Sequence, residues 1–418
     1  MTERYSMVGR HAYGKVVRDV IFTAGGMAEQ AVAKYGKDRV VNATVGIILD
    51  DKEQMAVLPT VDDVVRRLSA ADFAAYSPFF GPPDFRAAAK LFAFGEYVPD
   101  AYVEVVATPG STGALRNCFW NYADIGDTIL VPDWRWNPYD TIATEHLRKI
   151  DTYKMFNDHL EFSLDDLKQK LLKLYETQAR AIVVFNDPAH NPTGYDMTLD
   201  QWRELMAFLR SLLKDPERCL TVFIDAPYID YAAAGNQARA LFQTLTPIPR
   251  NMLVGVGYSI SKSLTQYGMR TGAFIGVSQD RDVMDEFLEV NAASARAVWT
   301  NVPRVGMQLT GLLYREKGLA EKIAEEREGY RRMLNYRASV FHEEAAEVGL
   351  RFMPYRSGFF ISVPTIDSTR LMNLLTEKLI YVVPMDKGIR IAISGIPARK
   401  ISGIAYAVQE CLEKTGEA

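Results

Sequence analysis

Short apolar runs alternate with helix-like segments along most of this sequence. The runs that predict strands are "VEVVAT", "DTILVP", "AIVVFN", "LTVFID" and "MLVGVGYS". Between them lie segments with a helical spacing of leucines, such as "EFSLDDLKQKLLKLYETQ", for which Ser163 is the expected N-cap. Strands that alternate with helices predict an α/β fold, with a mainly parallel sheet covered by helices on both faces. The carboxyl ends of such strands, and with them the functional side chains, are expected at one edge of the sheet.

The composition narrows the class of protein. The 418 residues are 48% hydrophobic, which is enough for a large core and more than one domain. The net charge is -4. The sequence lacks the basic stripe that would predict binding to nucleic acid. The sequence has neither a signal-peptide pattern nor an apolar run of membrane length. Its cysteines are scattered and odd in number, which is typical of a reducing cytoplasm: Cys118, Cys219 and Cys411.

The character of the sequence changes near residue 306. A long charged helical segment, "YREKGLAEKIAEEREGYRRMLNYRASVFHEE", leads there to the strand-like runs "GFFISV" and "IRIAIS". We therefore predict a large domain over residues 51–305 and a smaller α+β domain over residues 306–418. Residues 1–50 are predicted to form an N-terminal segment that packs with the small domain.

Polar side chains follow the predicted strands where these strands end. In the loop "PGSTGAL", Ser111 and Thr112 stand where hydroxyls and backbone amides at a helix N-terminus would meet an anion. An amine, a carboxylate and an anion cradle together suit pyridoxal phosphate, which needs a lysine for a Schiff base, a carboxylate at its ring nitrogen and a phosphate cup. The strand-end residues are Asn191, Asp225 with Tyr228, and Lys262.

Nine segments extend this pattern across most of the chain: "NATVGIILDD", "YSPFFGPPDFR", "TPGSTGALR", "WNPYDTI", "NDPAHNPTG", "IDAPY", "SISKSLTQYGMRTG", "RAVWTNVP" and "GIRIAIS". In order and spacing they resemble the fold-type-I pyridoxal-phosphate enzymes, and among these the class I aminotransferases related to aspartate and aromatic aminotransferases. The resemblance implies that fold, pyridoxal 5'-phosphate as cofactor and a homodimer with shared active sites. It also implies amino-group transfer between aspartate, glutamate or an aromatic amino acid and a 2-oxo acid such as 2-oxoglutarate.

The resemblance assigns the central roles at the cofactor. Lys262 matches the lysine that forms the Schiff base and moves a proton at the substrate's Cα. Asp225 matches the carboxylate that keeps the ring nitrogen protonated. Tyr228 and Asn191 match the donors to the ring's phenolic oxygen. Similar enzymes have a cis bond after this asparagine, so Asn191–Pro192 is expected to be cis.

The resemblance also implies a phosphate cup and a stacking partner for the ring. Trp136 matches the indole that stacks on the ring, although the family commonly has proline and then asparagine after it, whereas this chain has Asn137 and then Pro138. Trp134, two residues earlier, stays open as the alternative. Tyr76 matches a tyrosine that reaches the phosphate of the neighbouring subunit. The other phosphate ligands expected are Arg270, Ser259, Ser111 and Thr112, with Ser261 as a lesser candidate.

The substrate is expected to meet two arginines. Arg390 matches the arginine that binds the α-carboxylate, where a planar guanidinium orients the substrate with two parallel hydrogen bonds. Arg296 matches the arginine with which aspartate-type enzymes bind the distal carboxylate from the neighbouring subunit. Gly46 matches the small residue of the N-terminal segment that closes over the substrate. Trp136 and Asn191 are also expected to contact the substrate. Phe359 or Phe360 is a further candidate for the pocket wall.

Two other functions use the same residues. A lyase or decarboxylase of the aspartate 4-decarboxylase or carbon–sulfur lyase type would share Lys262, Asp225 and Arg270, because the cofactor stabilises the carbanion whichever bond breaks. A regulator that borrows this fold would need an additional DNA-binding module. No metal site is predicted, because the histidines lack ligand spacing: His11, His146, His159, His190 and His342.

Overall fold

The computed structural model of the protein describes residues 7–16 and 19–417, so the remaining residues of the predicted N-terminal segment and small domain lie outside it. Within the described residues the strands are β1 Val41–Asn42, β2 Tyr102–Thr108, β3 Thr128–Pro132, β4 Lys149–Tyr153, β5 Arg180–Asn186, β6 Cys219–Asp225, β7 Met252–Ser259, β8 Gly272–Ser278, β9 Phe360–Pro364, β10 Ile380–Tyr381, β11 Val383–Met385 and β12 Gly388–Ala392. The α-helices are α1 Val20–Tyr35, α2 Pro59–Arg66, α3 Ala70–Ala74, α4 Pro83–Phe94, α5 Gly110–Asn121, α6 Pro138–Glu145, α7 Asp165–Leu174, α8 Leu199–Leu212, α9 Ile260–Ser263, α10 Arg281–Val298, α11 Arg304–Arg315, α12 Leu319–Val348, α13 Ser368–Glu377, α14 Ala398–Ile401 and α15 Ile404–Thr415.

The large domain is built on a seven-stranded sheet with the order β2-β8-β7-β6-β5-β3-β4. The strands from β7 to β4 are parallel, and β8 is antiparallel to both of its neighbours. Both faces of the sheet are covered. In β5, Ile182 and Val184 pack in one core with α5, α6 and α10, while Ala181 and Val183 pack in the other with α4, α7 and α8. The predicted α/β class with a mainly parallel sheet is confirmed, and its strands are buried on both faces as parallel sheets require.

A second core belongs to the small domain. There β11, β12 and β9 form an antiparallel sheet, which packs with α13, α15 and part of α12. From the N-terminal side, β1 pairs in parallel with β10, and Ala28 and Ala31 of α1 pack against Tyr381. Helix α11 instead places Met307 and Leu309 in the core of the large sheet. The division at residue 306 stays a prediction.

Of two local predictions, one is supported and one is wrong. The regular part of α7 begins after Leu164, but the Leu164 backbone is already helical and the Ser163 hydroxyl accepts from the Asp165 amide at 3.2 Å, so Ser163 caps this end as predicted. Asn191–Pro192 is not cis; in the part of the chain that the structure describes, the cis bonds precede Pro188 and Pro247. In the loop around Asn191, the Asn191 amide donates a hydrogen bond to Asn186 Oδ1 at 2.6 Å. Of the helices in the described ranges, none combines the length and apolarity needed to span a membrane.

Candidate active site

A cavity of about 590 Å³ opens at the carboxyl ends of the parallel strands. Strand register brings its floor together, because Asn186 of β5 lies beside Asp225 of β6, which in turn lies beside Gly257 of β7. The wall facing this floor comes from the N-terminal segment and from the small domain. The lining residues are Ile21, Phe22, Val45, Gly46, Ile47, Ser111, Thr112, Trp136, Asn186, Asn191, Asp225, Pro227, Tyr228, Ser259, Ser261, Lys262, Tyr267, Gly268, Arg270, Phe360 and Arg390.

Lys262 projects into this cavity from the single turn α9, directly after β7. Its Nζ donates to the carbonyl of Gly46 at 2.6 Å and lies 4.6 Å from the ring centroid of Tyr267. Burial, with a smaller contribution from the positive charges of Arg390 and Arg270, lowers the pKa of Lys262 to about 7. An amine with such a pKa is largely unprotonated just above neutral pH and can act as a nucleophile.

Asp225 ends β6 as a buried carboxylate, 3% exposed. Its Oδ2 accepts hydrogen bonds from the Tyr139 hydroxyl at 2.6 Å and from Asn186 Nδ2 at 3.1 Å. Its Oδ1 accepts from the Ser111 hydroxyl. Burial raises the pKa of Asp225, while these three hydrogen bonds act in the opposite direction. The sequence interpretation missed Tyr139 and Asn186, although Asn186 is the last residue of the strand run "AIVVFN" and Tyr139 lies within "WNPYDTI".

An anion cradle lies beside Lys262. Arg270 has a left-handed backbone, with φ 49°, and its Nη1 donates to Ser261 Oγ at 3.1 Å. Gly110 has φ 67°, which favours glycine, and a Cβ there would lie 2.9 Å from Arg270 Nη2, so glycine leaves the guanidinium room at the start of α5. Ser259 Oγ is 3.7 Å from the same Cβ position. The first amides of α5 and these side chains together suit a phosphate group.

Arg390 reaches the cavity from β12 of the small domain and is 3% exposed. It donates from Nη2 to the Thr44 carbonyl at 2.9 Å and from Nη1 to Asn191 Oδ1 at 3.2 Å. Its Nε has no hydrogen-bond partner among the described residues. Burial lowers the pKa of Arg390 to about 10, so the guanidinium stays charged at neutral pH. A buried cation with a free donor suits a carboxylate.

The structure separates several alternatives that the sequence leaves open. Trp136 lines the cavity, whereas Trp134 is buried in the core of the large domain. Phe360 lines the cavity, and a Cβ on Gly46 would lie 2.6 Å from its ring, so residue 46 must be small here. Phe359 lies behind it, with its ring centroid 5.0 Å from that of Tyr228. The Tyr228 hydroxyl is 3.5 Å from Asn191 Nδ2.

Two predicted site residues lie away from the cavity of their own subunit. Tyr76 is 89% exposed and Arg296 is exposed near the end of α10, where its guanidinium lies 6.0 Å from the ring centroid of Phe79. Neither is among the residues that line the cavity.

Several lining residues were not predicted as site residues. Tyr267 follows Lys262 by five residues in the same motif, and its hydroxyl accepts from the Ile48 amide at 3.0 Å. The sequence does not mark Ile21 and Phe22, in the first turn of α1, as site residues, because an apolar pair at the start of a helix is common in protein cores.

The residues present fit pyridoxal phosphate. An amine with a lowered pKa, a buried carboxylate and an arginine–serine cradle meet in one cavity, at positions that suit the cofactor's aldehyde, ring nitrogen and phosphate. Arg390, whose Nε has no hydrogen-bond partner among the described residues, lines the same cavity.

Comparison with known proteins gives the family. A model described as "Aminotransferase class I and II" matches residues 38–407. The chain belongs to this family. It is 25% identical to the cytoplasmic aspartate aminotransferase of Gallus gallus over 406 residues, which cover 91% of this chain and 93% of the relative. It is 24% identical to the aspartate aminotransferase of Escherichia coli strain K12 over 88% of this chain and 92% of that one.

Solved structures agree with this membership. An aminotransferase from Anaerococcus prevotii is 33% identical with a TM-score of 0.94, over 97% of this chain and 99% of that chain. An aromatic amino acid aminotransferase from Burkholderia cenocepacia has the same fold, with 23% identity and a TM-score of 0.79 over 96% and 98% of the two chains. The predictions of a fold-type-I aminotransferase and of pyridoxal phosphate as its cofactor are confirmed. The comparisons do not support the lyase, decarboxylase or regulator alternatives.

Proposed function

We propose that this aminotransferase performs its chemistry in the cavity at the carboxyl ends of β5, β6 and β7, with Lys262 as its catalytic amine. The observation that supports this most strongly is the meeting of Lys262, Asp225, Arg270 and Arg390 in the lining of one cavity. Pyridoxal phosphate, when bound, supplies an electron sink for the electron pair left at Cα. The residues around it bind, orient and move the proton.

Each wall of the cavity has its own task in this proposal. Arg270, Ser259, Ser261 and Thr112 with the first amides of α5 bind the phosphate. Asp225 pairs with the ring nitrogen, Asn191 and Tyr228 donate to the phenolic oxygen, and Trp136 stacks on the ring. Support comes from their shared position on the cavity wall and from the burial of Asp225 and Tyr228.

Substrate binding and proton transfer use Arg390 and Lys262. Arg390 binds the α-carboxylate through Nε and an Nη group, which turns the Cα–H bond towards Lys262. The amine of Lys262 then takes the proton from Cα as a general base. In its protonated form it acts as the general acid of the next step. Gly46 and Phe360 close over the substrate, since the Gly46 carbonyl already contacts the lysine amine.

The active unit in this proposal is a homodimer with shared sites. Tyr76 and Arg296 are exposed and do not line the cavity of their own subunit, so they are available to a neighbouring subunit. Exposed apolar side chains on the same segments, Phe73, Phe79 and Val298, favour an interface there.

Subunit exchange tests the shared site. A Lys262→Ala protein and a Tyr76→Phe, Arg296→Ala double variant should each have low activity. After random exchange, about a quarter of the sites should be intact, because half of the dimers are mixed and each mixed dimer has one site with all three residues. Activity that stays at the level of the separate variants after exchange verified by mass spectrometry contradicts this arrangement.

The proposed substrates are dicarboxylates, with glutamate and 2-oxoglutarate as one pair and aspartate or an aromatic amino acid as the other donor. Arg296 supplies a guanidinium fork for the distal carboxylate, and the relatives named aspartate aminotransferase and aromatic amino acid aminotransferase support this range.

Replacement of Arg296 tests this choice. Arg296→Ala should lower kcat/KM for glutamate by about ten- to a hundredfold, because one charge-assisted pair with the distal carboxylate is lost. Each loss of roughly 1.4 kcal/mol of transition-state stabilisation corresponds to a tenfold fall in kcat/KM. The kcat/KM for phenylalanine should stay within about threefold by the same relation. Arg281→Ala, an exposed arginine at the other end of α10, is the control. Equal losses for glutamate and phenylalanine would exclude a role of Arg296 at the distal carboxylate.

We also propose a reducing compartment such as the cytoplasm. All three cysteines are free thiols, and Cys118 and Cys411 are buried. The relatives include both a cytoplasmic and a mitochondrial enzyme by name. Fractionation of the source cells with an antibody against the protein tests this, and enrichment in an organelle fraction would contradict it.

A further inference from the structure

Asp225 is held by three uncharged donors from three different elements. Tyr139 comes from α6, Asn186 from the end of β5 and Ser111 from the first turn of α5. No lysine, arginine or histidine is among the hydrogen-bond partners that the structure gives this carboxylate. The negative charge is therefore satisfied by dipoles alone, and its counter-charge is left for a ligand.

Tyr139 is closely packed. Its side chain is fully buried, and its ring packs edge-on against Trp136 with the centroids 5.5 Å apart. Burial and the negative charge of Asp225 raise the pKa of Tyr139 well above its usual value, so the phenol stays protonated and can donate to the carboxylate. Across the carboxylate, a Cβ on Gly257 would lie 2.7 Å from Ser111 Oγ, so glycine leaves room for that hydroxyl.

Other titratable groups surround this cluster at a greater distance. Tyr228 lies in the loop after β6, and the charge of Asp225 contributes to the rise in its pKa. Lys262 and Arg270 line the same cavity from the segment after β7. Neither cation hydrogen-bonds to Asp225, so neither replaces the three donors.

We infer that Tyr139 is a positioning residue, which with Asn186 and Ser111 keeps Asp225 ionised and aimed at the ring nitrogen, so that the protein selects the ring-protonated cofactor. This inference rests on the role proposed above for Asp225. It also gives Ser111 a contact with the carboxylate, where the sequence pattern suggested one with the phosphate. Tyr139 itself touches neither phosphate ligand nor substrate arginine in the contacts of the structure.

The test is the affinity of the apoprotein for pyridoxal phosphate between pH 6 and 9, followed by quenching of tryptophan fluorescence. Tyr139→Phe keeps the ring and removes one hydrogen bond to a charged group, so the dissociation constant at pH 7 should rise about ten- to a hundredfold. Removal of a donor raises the pKa of Asp225. Protonation of Lys262 lowers the affinity on the acid side in the wild type and the variants alike. Protonation of Asp225 adds to this loss as pH falls through its own pKa, so the loss should begin at a higher pH in Tyr139→Phe than in the wild type.

Tyr153→Phe is the matched control. Tyr153 is equally buried, but its hydroxyl donates to the Val184 carbonyl at 3.0 Å, away from the carboxylate. This variant should keep the wild-type affinity and pH curve. If Tyr139→Phe does not fold, Ser111→Ala removes a second donor of the same carboxylate and should move the pH curve in the same direction.

Asp225→Asn separates the two ways in which the inference can fail. If this variant loses affinity and Tyr139→Phe behaves like Tyr153→Phe, the positioning role is overturned and the role of Asp225 stands. If Asp225→Asn retains both affinity and pH dependence, the proposed role of Asp225 fails and the inference fails with it.

Discussion

Replacement of Lys262 by alanine is expected to lower kcat for transamination of glutamate by about 10⁴-fold, because the amine acts both as nucleophile and as acid–base group. The fold should be retained, since the lysine side chain lines a cavity and its one hydrogen bond in the structure is to the Gly46 carbonyl. Steady-state kinetics and the melting temperature of the same preparation measure the two effects. Lys322→Ala, an exposed lysine on α12, is the control.

Two further measurements sharpen this expectation. Borohydride treatment of the cofactor-loaded enzyme followed by peptide mapping should place the pyridoxyl label on Lys262. The rate at which the apoprotein combines with the cofactor should rise about tenfold per pH unit below pH 7 and level off above it, because the unprotonated amine is the nucleophile and burial lowers the pKa of Lys262 to about 7.

The expected pH dependence of this rate follows from the lowered pKa of Lys262. A lysine with its usual pKa would be almost fully protonated at pH 7, and the rate would keep rising towards pH 10. A rate that keeps rising towards pH 10, or a label on another lysine, would show that Lys262 is not the catalytic amine.

Replacement of Arg390 by alanine is the second large effect. We expect kcat/KM to fall about 10²–10³-fold for acidic and neutral amino acids alike, because the α-carboxylate is common to both and would enter a buried site without its cation. Arg390→Lys keeps a charge but loses the planar fork, so it should recover only part of the loss. The measurement is kcat/KM for glutamate and phenylalanine, with Arg399→Ala on the exposed side of the small domain as control.

The pattern across substrates distinguishes Arg390 from Arg296. A loss confined to glutamate would mean that Arg390 binds the distal carboxylate, and the two arginines would then exchange roles. An unchanged kcat/KM for both amino acids would place the α-carboxylate elsewhere.

Much of the fold follows from local patterns in the sequence. The runs "AIVVFN", "LTVFID" and "MLVGVGYS" lie within β5, β6 and β7, because strands buried on both faces are continuously apolar and end abruptly at polar residues. The parallel register then brings their ends together, which is why Asp225 and Lys262 line one cavity. Strand β8, antiparallel to its neighbours, was not among the predicted strands.

The family resemblance added what local patterns do not contain. Arg390 and Asn191 are 199 positions apart, and no periodicity connects them, yet Arg390 Nη1 donates to Asn191 Oδ1. The matching motif pointed to both residues. The same resemblance was wrong about the cis bond at Asn191–Pro192, because that detail depends on the path of the loop and not on its sequence motif.

By itself the sequence determined the α/β architecture, the strand-end amine and carboxylate and, through its motifs, the family. Only the tertiary structure decided the partners of Asp225 and the choice of Trp136 over Trp134 on the cavity wall. The physical reason is the range of the interactions. Strand periodicity depends on neighbouring residues in the sequence. Tyr139 and Ser111, in contrast, are 86 and 114 positions from Asp225. Their contacts with it depend on how the helices pack on the sheet, because this packing sets the direction of each side chain.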